Sequence, residues 1–256
     1  MLITHTRENL NKVVVLNPKG GCGKSTIATN IATYYAARAG TPAIMDFDPQ
    51  GSSTAWLDRR PGNLPPIHGI AAFKKSMHAT RSWQLRVPND TIDLIVDSPA
   101  GMHHDDLREV TRDATSILVP VLPSSLDIHA ASRCIADLLL VAKIDRRDRK
   151  LAVIANRTRK NTKSLSQLMR FLDSLGIPII AVLRDSQNYV HAAAEGIGLF
   201  EMPPSRVQAD IDQLEKIVKW LDSWPERRRN TGNRTGTKRK RFAKVSFLRN
   251  SQAGSA

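Results

Sequence analysis

Residues 17–26 read Asn-Pro-Lys-Gly-Gly-Cys-Gly-Lys-Ser-Thr and follow a short run rich in valine. The three glycines of this stretch let the backbone approach phosphate oxygens closely, and successive N–H groups form an anion-binding cradle. A helix is predicted to begin directly after the loop, where its N-terminal dipole stabilises a bound anion. The order strand, glycine-rich loop, helix predicts an α/β protein that binds the phosphates of a nucleotide.

Two residues at the end of the loop have the side chains that nucleotide chemistry needs. The Lys24 ammonium is placed for the β- and γ-phosphates, and the Ser25 hydroxyl for Mg²⁺. The usual pattern G-x-x-x-x-G-K-[S/T] is not met, because residue 18 is proline, and a second lysine stands at Lys19. The residues expected to hold the nucleotide are Lys19, Gly20, Gly21, Cys22, Gly23, Lys24, Ser25 and Thr26.

Short apolar runs alternate with longer amphipathic stretches along the chain. Near-continuous apolar runs bounded by Pro, Gly, Asp or Asn are typical of strands buried on both faces of a parallel sheet. The predicted strands are 12–17, 42–46, 92–97, 116–121, 151–156 and 177–183. The predicted helices are 24–38, 105–113, 125–141, 162–175, 189–195 and 207–220. This alternation predicts a doubly wound, mostly parallel sheet flanked by helices, and the proline-rich residues 61–90 show no clear pattern.

Length and composition limit the class of protein. The chain has 256 residues, of which 41% are hydrophobic and 24% charged, as expected for one folded domain. No run of 18 apolar residues is present, and two cysteines are too few for a disulfide framework, which favours the reducing cytoplasm. We expect a short N-terminal extension at 1–11, a globular body at 12–224 and a tail at 225–256.

The net charge of +14 is concentrated in the tail. Residues 225–256 contain ten Lys or Arg and one acid, and the apolar periodicity of the body stops there. Such a tail, which we expect to be disordered, is typical of segments that bind DNA, RNA or an anionic membrane. A solvated end without a ligand is the alternative. Phe242, Val245 and Leu248 are spaced as in a short basic amphipathic helix, which is a weak indication of a membrane surface.

The loop with two lysines resembles the deviant Walker A motif of the ParA/MinD family of P-loop ATPases. Asp46-Phe47-Asp48-Pro49-Gln50-Gly51 is similar to the second acidic motif of that family, and residues 93–101 are similar to its Walker B strand. Residues 119–124 and 183–187 match segments that follow later strands. The resemblance covers roughly residues 12–220 and implies a P-loop NTPase fold with ATPase activity.

The resemblance also implies a role for each motif residue. Lys19 would reach across an ATP-dependent homodimer to the nucleotide of the partner, and Asp46 would position the attacking water. Asp97 would hold a Mg²⁺-bound water, which leaves Ser25 as the direct protein ligand of the metal. The candidates for contacts to the adenine are Asn156 and Pro203.

Within this family, the first hypothesis is a positioning ATPase that binds nucleoid DNA without sequence preference as an ATP-bound dimer. An adaptor on the cargo would stimulate hydrolysis, which is expected to be weak without it, and so release the protein. The cargo would be a plasmid, a chromosome locus or a protein assembly such as carboxysomes or chemotaxis clusters. Only eleven residues precede the first predicted strand, so operator-specific repression is not expected. The candidate DNA contacts of the body are Arg157, Arg159, Lys160, Lys163 and Arg184.

Three other functions are alternatives to a DNA-binding positioning ATPase, and the sequence favours each of them less. A MinD-like membrane-cycling ATPase agrees with residues 98–101, but residues 48–51 are ParA-like and the tail has more charge than apolar surface, so the membrane is less favoured. An electron-transfer ATPase like the nitrogenase iron protein needs two cluster-binding cysteines per subunit. Cys22 lies in the loop and Cys134 in a predicted helix, so those ligands are missing. A metabolic P-loop synthetase would need a substrate motif, and none is recognisable.

One further cluster has two interpretations. His103-His104-Asp105-Asp106 has residue types that bind metals, but the same run directly before a helix is typical of an exposed helix start with an acidic first turn. The helix start is the favoured interpretation. Cys134 is expected to be a buried structural thiol.

Overall fold

In the computed structural model, which describes residues 10–74, 85–145, 148 and 150–223, parallel strands form the centre of the molecule. The strands are β1 (Asn11–Val15), β2 (Pro42–Asp46), β3 (His68–Ala71), β4 (Asp93–Asp97), β5 (Ser116–Val121), β6 (Leu151–Thr158) and β7 (Ile179–Arg184). The described helices are α1 (Lys24–Ala36), α2 (Ser52–Asp58), α3 (His104–Thr111), α4 (Ser125–Leu140), α5 (Lys163–Ser174), α6 (Gln187–Ala194) and α7 (Pro204–Asp222). A 3₁₀ turn covers Leu199–Glu201. The predicted fold class, a parallel sheet flanked by helices, is confirmed.

The order of the strands determines where the functional site lies. The seven strands follow the order β3-β2-β4-β1-β5-β6-β7, and all their pairings are parallel. Strands β2, β3 and β4 lie on one side of β1, and β5, β6 and β7 lie on the other. Because the direction of the connections reverses at β1, a crevice forms at its carboxyl end, between β4 and β5. The glycine-rich loop leaves β1 at Val15 and enters α1 at Lys24, and it therefore occupies this crevice.

Two apolar layers, one on each face of the sheet, hold the helices in place. One layer joins the sheet to α3, α4 and α5, with Leu107, Ile135 and Leu168 buried in it. The other joins the sheet to α1, α6 and α7, with Ile27 and Leu214 buried in it. Because both faces are covered, the central strands are apolar throughout and show no alternation of polar and apolar residues.

Every predicted strand and helix corresponds to an observed element, with ends shifted by at most three residues. The structure adds α2 and β3, which were not predicted. In α2, only Ser53 and Trp56 are buried among seven residues, so the sequence has no apolar stripe. In β3, His68 and Gly69 are exposed, and the strand has four residues at the edge of the sheet. Residues 1–9 of the predicted extension 1–11 and the basic tail 225–256 lie outside the described residues, and β1 already begins at Asn11.

A buried ion pair connects the end of α2 to the 3₁₀ turn. Arg60 Nη1 lies 2.9 Å from Glu201 Oε2, and both side chains are only 6% exposed. The Arg60 guanidinium also donates to the Pro65 carbonyl at 2.9 Å, and Glu201 accepts from the Gly198 N–H at 2.8 Å. Gly198 packs so closely on α1 that a Cβ there would lie 2.1 Å from Thr33 Oγ1. The ion pair thereby fixes α2 against the turn that packs on α1.

We expect Arg60→Met to lower the free energy of unfolding by about 3 kcal/mol, because the Glu201 carboxylate would stay buried without its cation. Urea denaturation of the full chain measures this change. The control is Lys219→Met, which removes an exposed partner of Glu215 on α7 and should change the stability by about 0.5 kcal/mol or less. Equal effects of the two substitutions would contradict the structural role of the Arg60–Glu201 pair.

Candidate active site

Two asparagine side chains, Asn17 within the glycine-rich loop and Asn156 outside it, connect the loop to neighbouring strands. Asn17, which is fully buried, donates from Nδ2 to the Pro120 carbonyl at 2.7 Å and accepts from the Lys19 N–H at 2.9 Å. Asn156, at the end of β6, donates from Nδ2 to the Cys22 carbonyl at 2.7 Å. These bonds tie the loop to β5 and β6 and restrict its conformation.

The glycines give the loop a closed back and an open front. Gly21 and Gly23 have φ angles of 74° and 93°, which non-glycine residues rarely adopt. A Cβ at Gly23 would lie 2.3 Å from Asn156 Nδ2, whereas a Cβ at Gly20 or Gly21 would meet nothing within 4 Å. The open side is the space that phosphate oxygens would occupy beside the N–H groups of the loop.

The two lysines of the loop have different surroundings. Lys24 is buried, and its ammonium lies inside the loop, 3.1 Å from the Lys19 carbonyl. The Lys19 ammonium instead points out of the loop and lies 2.9 Å from Asp127 Oδ2, with the side chain 36% exposed. Asp127 is buried in the first turn of α4 and also accepts from the Ser124 hydroxyl. Asp127 was not predicted, because it lies 108 residues from Lys19 and belongs to no recognised motif.

Asp46 lies at the end of β2, and α2 fixes its carboxylate. Oδ2 accepts from the Thr54 N–H at 2.9 Å and from the Thr54 hydroxyl at 3.0 Å, and Oδ1 accepts from the Asp48 N–H at 3.0 Å. Burial raises the pKa of Asp46, and the hydrogen bonds from Thr54 act in the opposite direction. The carboxylate therefore has a defined orientation at the edge where the phosphate loop lies.

Asp97 lies beside Asp46, at the end of β4, and is fully buried. The Ser53 hydroxyl donates to its Oδ2 at 2.6 Å, whereas its Oδ1 is buried without a hydrogen-bond partner in the described part of the chain. Burial raises the pKa of Asp97 from its ordinary value of 3.8 to about 6, and the nearby hydroxyls of Ser53 and Ser25 act in the opposite direction. A buried, unpartnered carboxylate oxygen next to a serine hydroxyl is a donor set that fits Mg²⁺ and its bound water.

The two adenine candidates lie in different places. Asn156 is behind the phosphate loop, where its amide is bonded to Cys22. Pro203 precedes α7 directly and is half-buried, and the neighbouring Leu199 N–H donates to Asn30 Oδ1 of α1 at 2.8 Å. The Asn30 amide in turn donates to the Thr26 carbonyl at 2.8 Å. A contact between either candidate and a base stays a prediction.

The five basic residues predicted to contact DNA lie where β6 and β7 end, on the loop to α5 and at the first residue of α5. Two of them have acidic neighbours. Arg184 Nη2 lies 2.9 Å from Oδ2 of the buried Asp210, and Arg159 Nη2 lies 3.2 Å from Asp185 Oδ2. These carboxylates reduce the positive charge of the group. The other three side chains are exposed: Arg157, Lys160 and Lys163.

The remaining candidates have ordinary surroundings. His103 precedes α3, Asp105 and Asp106 form its acidic first turn, and all three are exposed, as the helix-start interpretation predicted. Within residues 10–74, 85–145 and 150–223, no group of three metal-binding side chains is found. Cys134 is buried, as expected, and burial raises its pKa to about 12. None of the described helices is long and apolar enough to cross a bilayer.

We expect Asp97→Asn to stabilise the nucleotide-free protein at neutral pH. The unfolded carboxyl ionises near pH 3.8 and the folded one near pH 6, so its contribution to stability is complete below about pH 4 and is lost as the pH rises to about 6. Above that pH the variant should be more stable by up to about 3 kcal/mol. Thermal denaturation between pH 4 and 8 measures the difference. An equal change in melting temperature at pH 4 and at pH 8 would contradict ionisation of Asp97 as the cause. The control is Asp106→Asn, which replaces an exposed carboxylate.

Sequence comparisons match most of the chain to a nucleotide-binding family and to several named relatives. Residues 13–200 match the description "CobQ/CobB/MinD/ParA nucleotide binding domain". A carboxysome distribution protein A from Halothiobacillus neapolitanus is 27% identical over 211 residues, which cover 80% of this chain and 94% of the relative. The septum site-determining protein MinD of Thermotoga maritima is 24% identical over 82% of this chain and 88% of the relative.

Solved structures of a carboxysome distribution protein and of a plasmid partition protein have the same fold as this chain. The apo carboxysome distribution protein McdA of Cyanothece aligns with a TM-score of 0.63 over 82% of this chain and 99% of that chain, at 14% identity. A plasmid partition protein of Borrelia burgdorferi bound to AMPPNP aligns with a TM-score of 0.62 over the same shares, at 13% identity. The family match, together with the geometry of the phosphate loop, shows that the chain belongs to the CobQ/CobB/MinD/ParA family of nucleotide-binding proteins.

Proposed function

We propose that this chain is a ParA-like positioning ATPase that dimerises on ATP, binds DNA without sequence preference and is released when a partner stimulates hydrolysis. The observation that carries the proposal is the pair of lysines in one loop. The Lys24 ammonium lies inside the loop, and the Lys19 ammonium points out of it. A second, outward cation fits a nucleotide of a neighbouring subunit better than the nucleotide of its own loop.

The loop would hold ATP by its N–H groups and by Lys24. Ser25 and Asp97 would hold magnesium, directly and through a bound water. Bound magnesium neutralises charge on the β- and γ-phosphates. Burial raises the pKa of Asp97. A magnesium ion nearby would lower that pKa again and favour the ionised carboxylate. Asn156, behind the loop, and Pro203 would lie closest to the base.

Asp46 would orient the attacking water, since its carboxylate is fixed by Thr54 and Asp48 at the carboxyl end of the sheet. Lys19 must leave Asp127 before it can reach the nucleotide of the partner subunit. There it would neutralise charge that develops on the transferred phosphoryl group. A subunit without its partner would lack this cation, which agrees with an ATPase that is weak on its own.

DNA binding would use exposed cations on the body and in the tail. Arg157, Lys160 and Lys163 are exposed on one side of the carboxyl edge, and a dimer would present two such sets. The tail 225–256 adds ten Lys or Arg per subunit. We take 12–224 as the ATPase domain and the tail as a separate basic segment. Each contact to a DNA phosphate makes the binding more sensitive to salt. A protein that binds DNA in this way would associate with the nucleoid in the cytoplasm.

The cargo we favour is a protein assembly of the carboxysome kind, because two relatives that cover most of the chain are named as carboxysome distribution proteins. An adaptor on the cargo would stimulate hydrolysis. The second candidate is a MinD-like cycle on a membrane, which the similarity to MinD of Thermotoga maritima and the apolar residues Phe242, Val245 and Leu248 support.

We expect Asp46→Ala to bind ATP normally and to hydrolyse it about 100-fold more slowly, because the attacking water loses its acceptor. The ATP-bound dimer should therefore accumulate. Phosphate release measures turnover, and light scattering after size-exclusion chromatography measures the dimer. The control is Asp58→Ala at the exposed end of α2, which should keep the wild-type rate. Turnover of Asp46→Ala within twofold of wild type would remove the assigned role.

We expect the full chain to bind random-sequence duplex DNA with ATP, and weakly with ADP or without nucleotide. Affinity should fall steeply as the salt concentration rises. Removing 225–256 should lower the affinity and flatten the salt dependence while ATP binding is unchanged. Lys24→Ala, which should not bind ATP, is the control. DNA binding that is absent or independent of nucleotide would reject the proposal, and binding to anionic liposomes would then support the membrane cycle.

A further inference from the structure

The first turn of α2 contacts both acids of the site. The Ser53 hydroxyl donates to Asp97 Oδ2 at 2.6 Å, and the Thr54 hydroxyl donates to Asp46 Oδ2 at 3.0 Å. Thr54 also donates its N–H to the same oxygen of Asp46 at 2.9 Å. Two successive residues of one helix therefore hold two different carboxylates, and Ser53 holds the one that is assigned to the metal.

The way α2 begins keeps the Ser53 hydroxyl in place. The helix follows Gly51, which has a φ angle of 61° and packs on the ring of Phe73, because a Cβ at Gly51 would lie 3.0 Å from Phe73 Cζ. Ser53 is fully buried, and Trp56, one turn later, is buried in the apolar layer that joins the sheet to α1. The hydroxyl is therefore shielded from water and directed at Asp97 by a well-packed helix start.

The two carboxylate oxygens of Asp97 have different surroundings. Oδ2 accepts from Ser53, whereas Oδ1 is buried without a hydrogen-bond partner among residues 10–74, 85–145 and 150–223. The torsion between Cβ and the carboxylate of an aspartate has broad minima, so the group turns easily unless one oxygen is held. The bond from Ser53 therefore fixes the plane of the carboxylate and with it the direction of Oδ1.

A purely structural role would also explain a buried hydroxyl beside a buried carboxylate, because an unpaired buried polar group costs about 1–3 kcal/mol. That role would be met best by donors to both oxygens, yet Oδ1 has none in the described part of the chain. One held oxygen and one free oxygen are expected of an acid that the protein orients and that a ligand completes.

From these contacts we propose that Ser53 is a positioning residue for the metal. Its hydroxyl holds Oδ2 of Asp97 so that Oδ1 stays available to the water of a nucleotide-bound magnesium. Ser53 would act through Asp97 and not by contact with the nucleotide. The inference rests on the proposed function, because it takes the magnesium of ATP as the group that Asp97 serves.

Binding of a fluorescent ATP analogue, N-methylanthraniloyl-ATP, to the full chain tests the proposal. The affinity is measured in EDTA and across a series of magnesium concentrations. Ser53→Ala should raise the magnesium concentration at half-maximal effect by about tenfold, since the carboxylate loses its fixed direction. Its affinity for the analogue in EDTA should equal that of the wild type. At saturating magnesium, ATP turnover should return to nearly the wild-type rate.

Three further variants separate positioning from a structural role. Ser52→Ala removes an exposed hydroxyl from the same turn and should leave the magnesium dependence unchanged. Ser53→Cys keeps a weak donor of similar size and should shift the dependence less than Ser53→Ala. In an Asp97→Asn background, Ser53→Ala should add less than about twofold to the shift, because the group through which it acts is already altered.

Three results would overturn the proposal. An unchanged magnesium dependence in Ser53→Ala and Ser53→Cys would leave the hydroxyl with a structural role alone. An equal loss of affinity in EDTA and in magnesium would mean that the substitution damages the phosphate loop and not the metal site. Equal shifts with Asp97 and with Asn at that position would mean that Ser53 does not act through the carboxylate. Failure of the proposed function is measured separately, by DNA binding of the wild type.

Discussion

The two hydrogen bonds of Asn17 connect the phosphate loop to the strand beside it. Its amide donates to the Pro120 carbonyl of β5, and its oxygen accepts from the Lys19 N–H inside the loop. Asn156 adds a bond from β6 to the Cys22 carbonyl. The loop thus depends on strands that lie more than 100 residues further along the chain, and the anion cradle forms only when the centre of the sheet is complete.

The site contains several charged groups that are shielded from water. Lys24, Asp46, Asp97 and Asp127 are all buried, and burying charged groups costs free energy that each must recover from its partners. Lys24 has a partner in the chain, whereas Asp97 and Asp127 each keep one buried carboxylate oxygen without any in the described residues. A bound nucleotide with its cation would supply a partner to Asp97, and a ligand that binds only the folded state stabilises it more the tighter it binds.

The sequence predicts the fold and where the motif residues lie in it, because both depend on local patterns. Continuous apolar runs identify the strands, and the glycine-rich loop and the strand-end acids Asp46 and Asp97 identify the edge where they meet. The pattern does not predict α2 or β3, which bury too few residues to show periodicity. Nor does it predict Ser53 or Asp127, because their partners are 44 and 108 residues away in sequence and only the folded chain brings them together.

Asp46 and Asp97 are paired with each other in the register of β2 and β4, as the last residues of both strands. The distance between the backbones of these two residues is therefore set by the spacing of neighbouring parallel strands, about 4.8 Å, and both side chains start from the same edge of the sheet. Inserting one residue into either strand would turn one carboxylate to the opposite face of the sheet. The loops around this pair can therefore change in length without moving the two carboxylates, whereas a one-residue insertion in either strand no longer keeps both on one face.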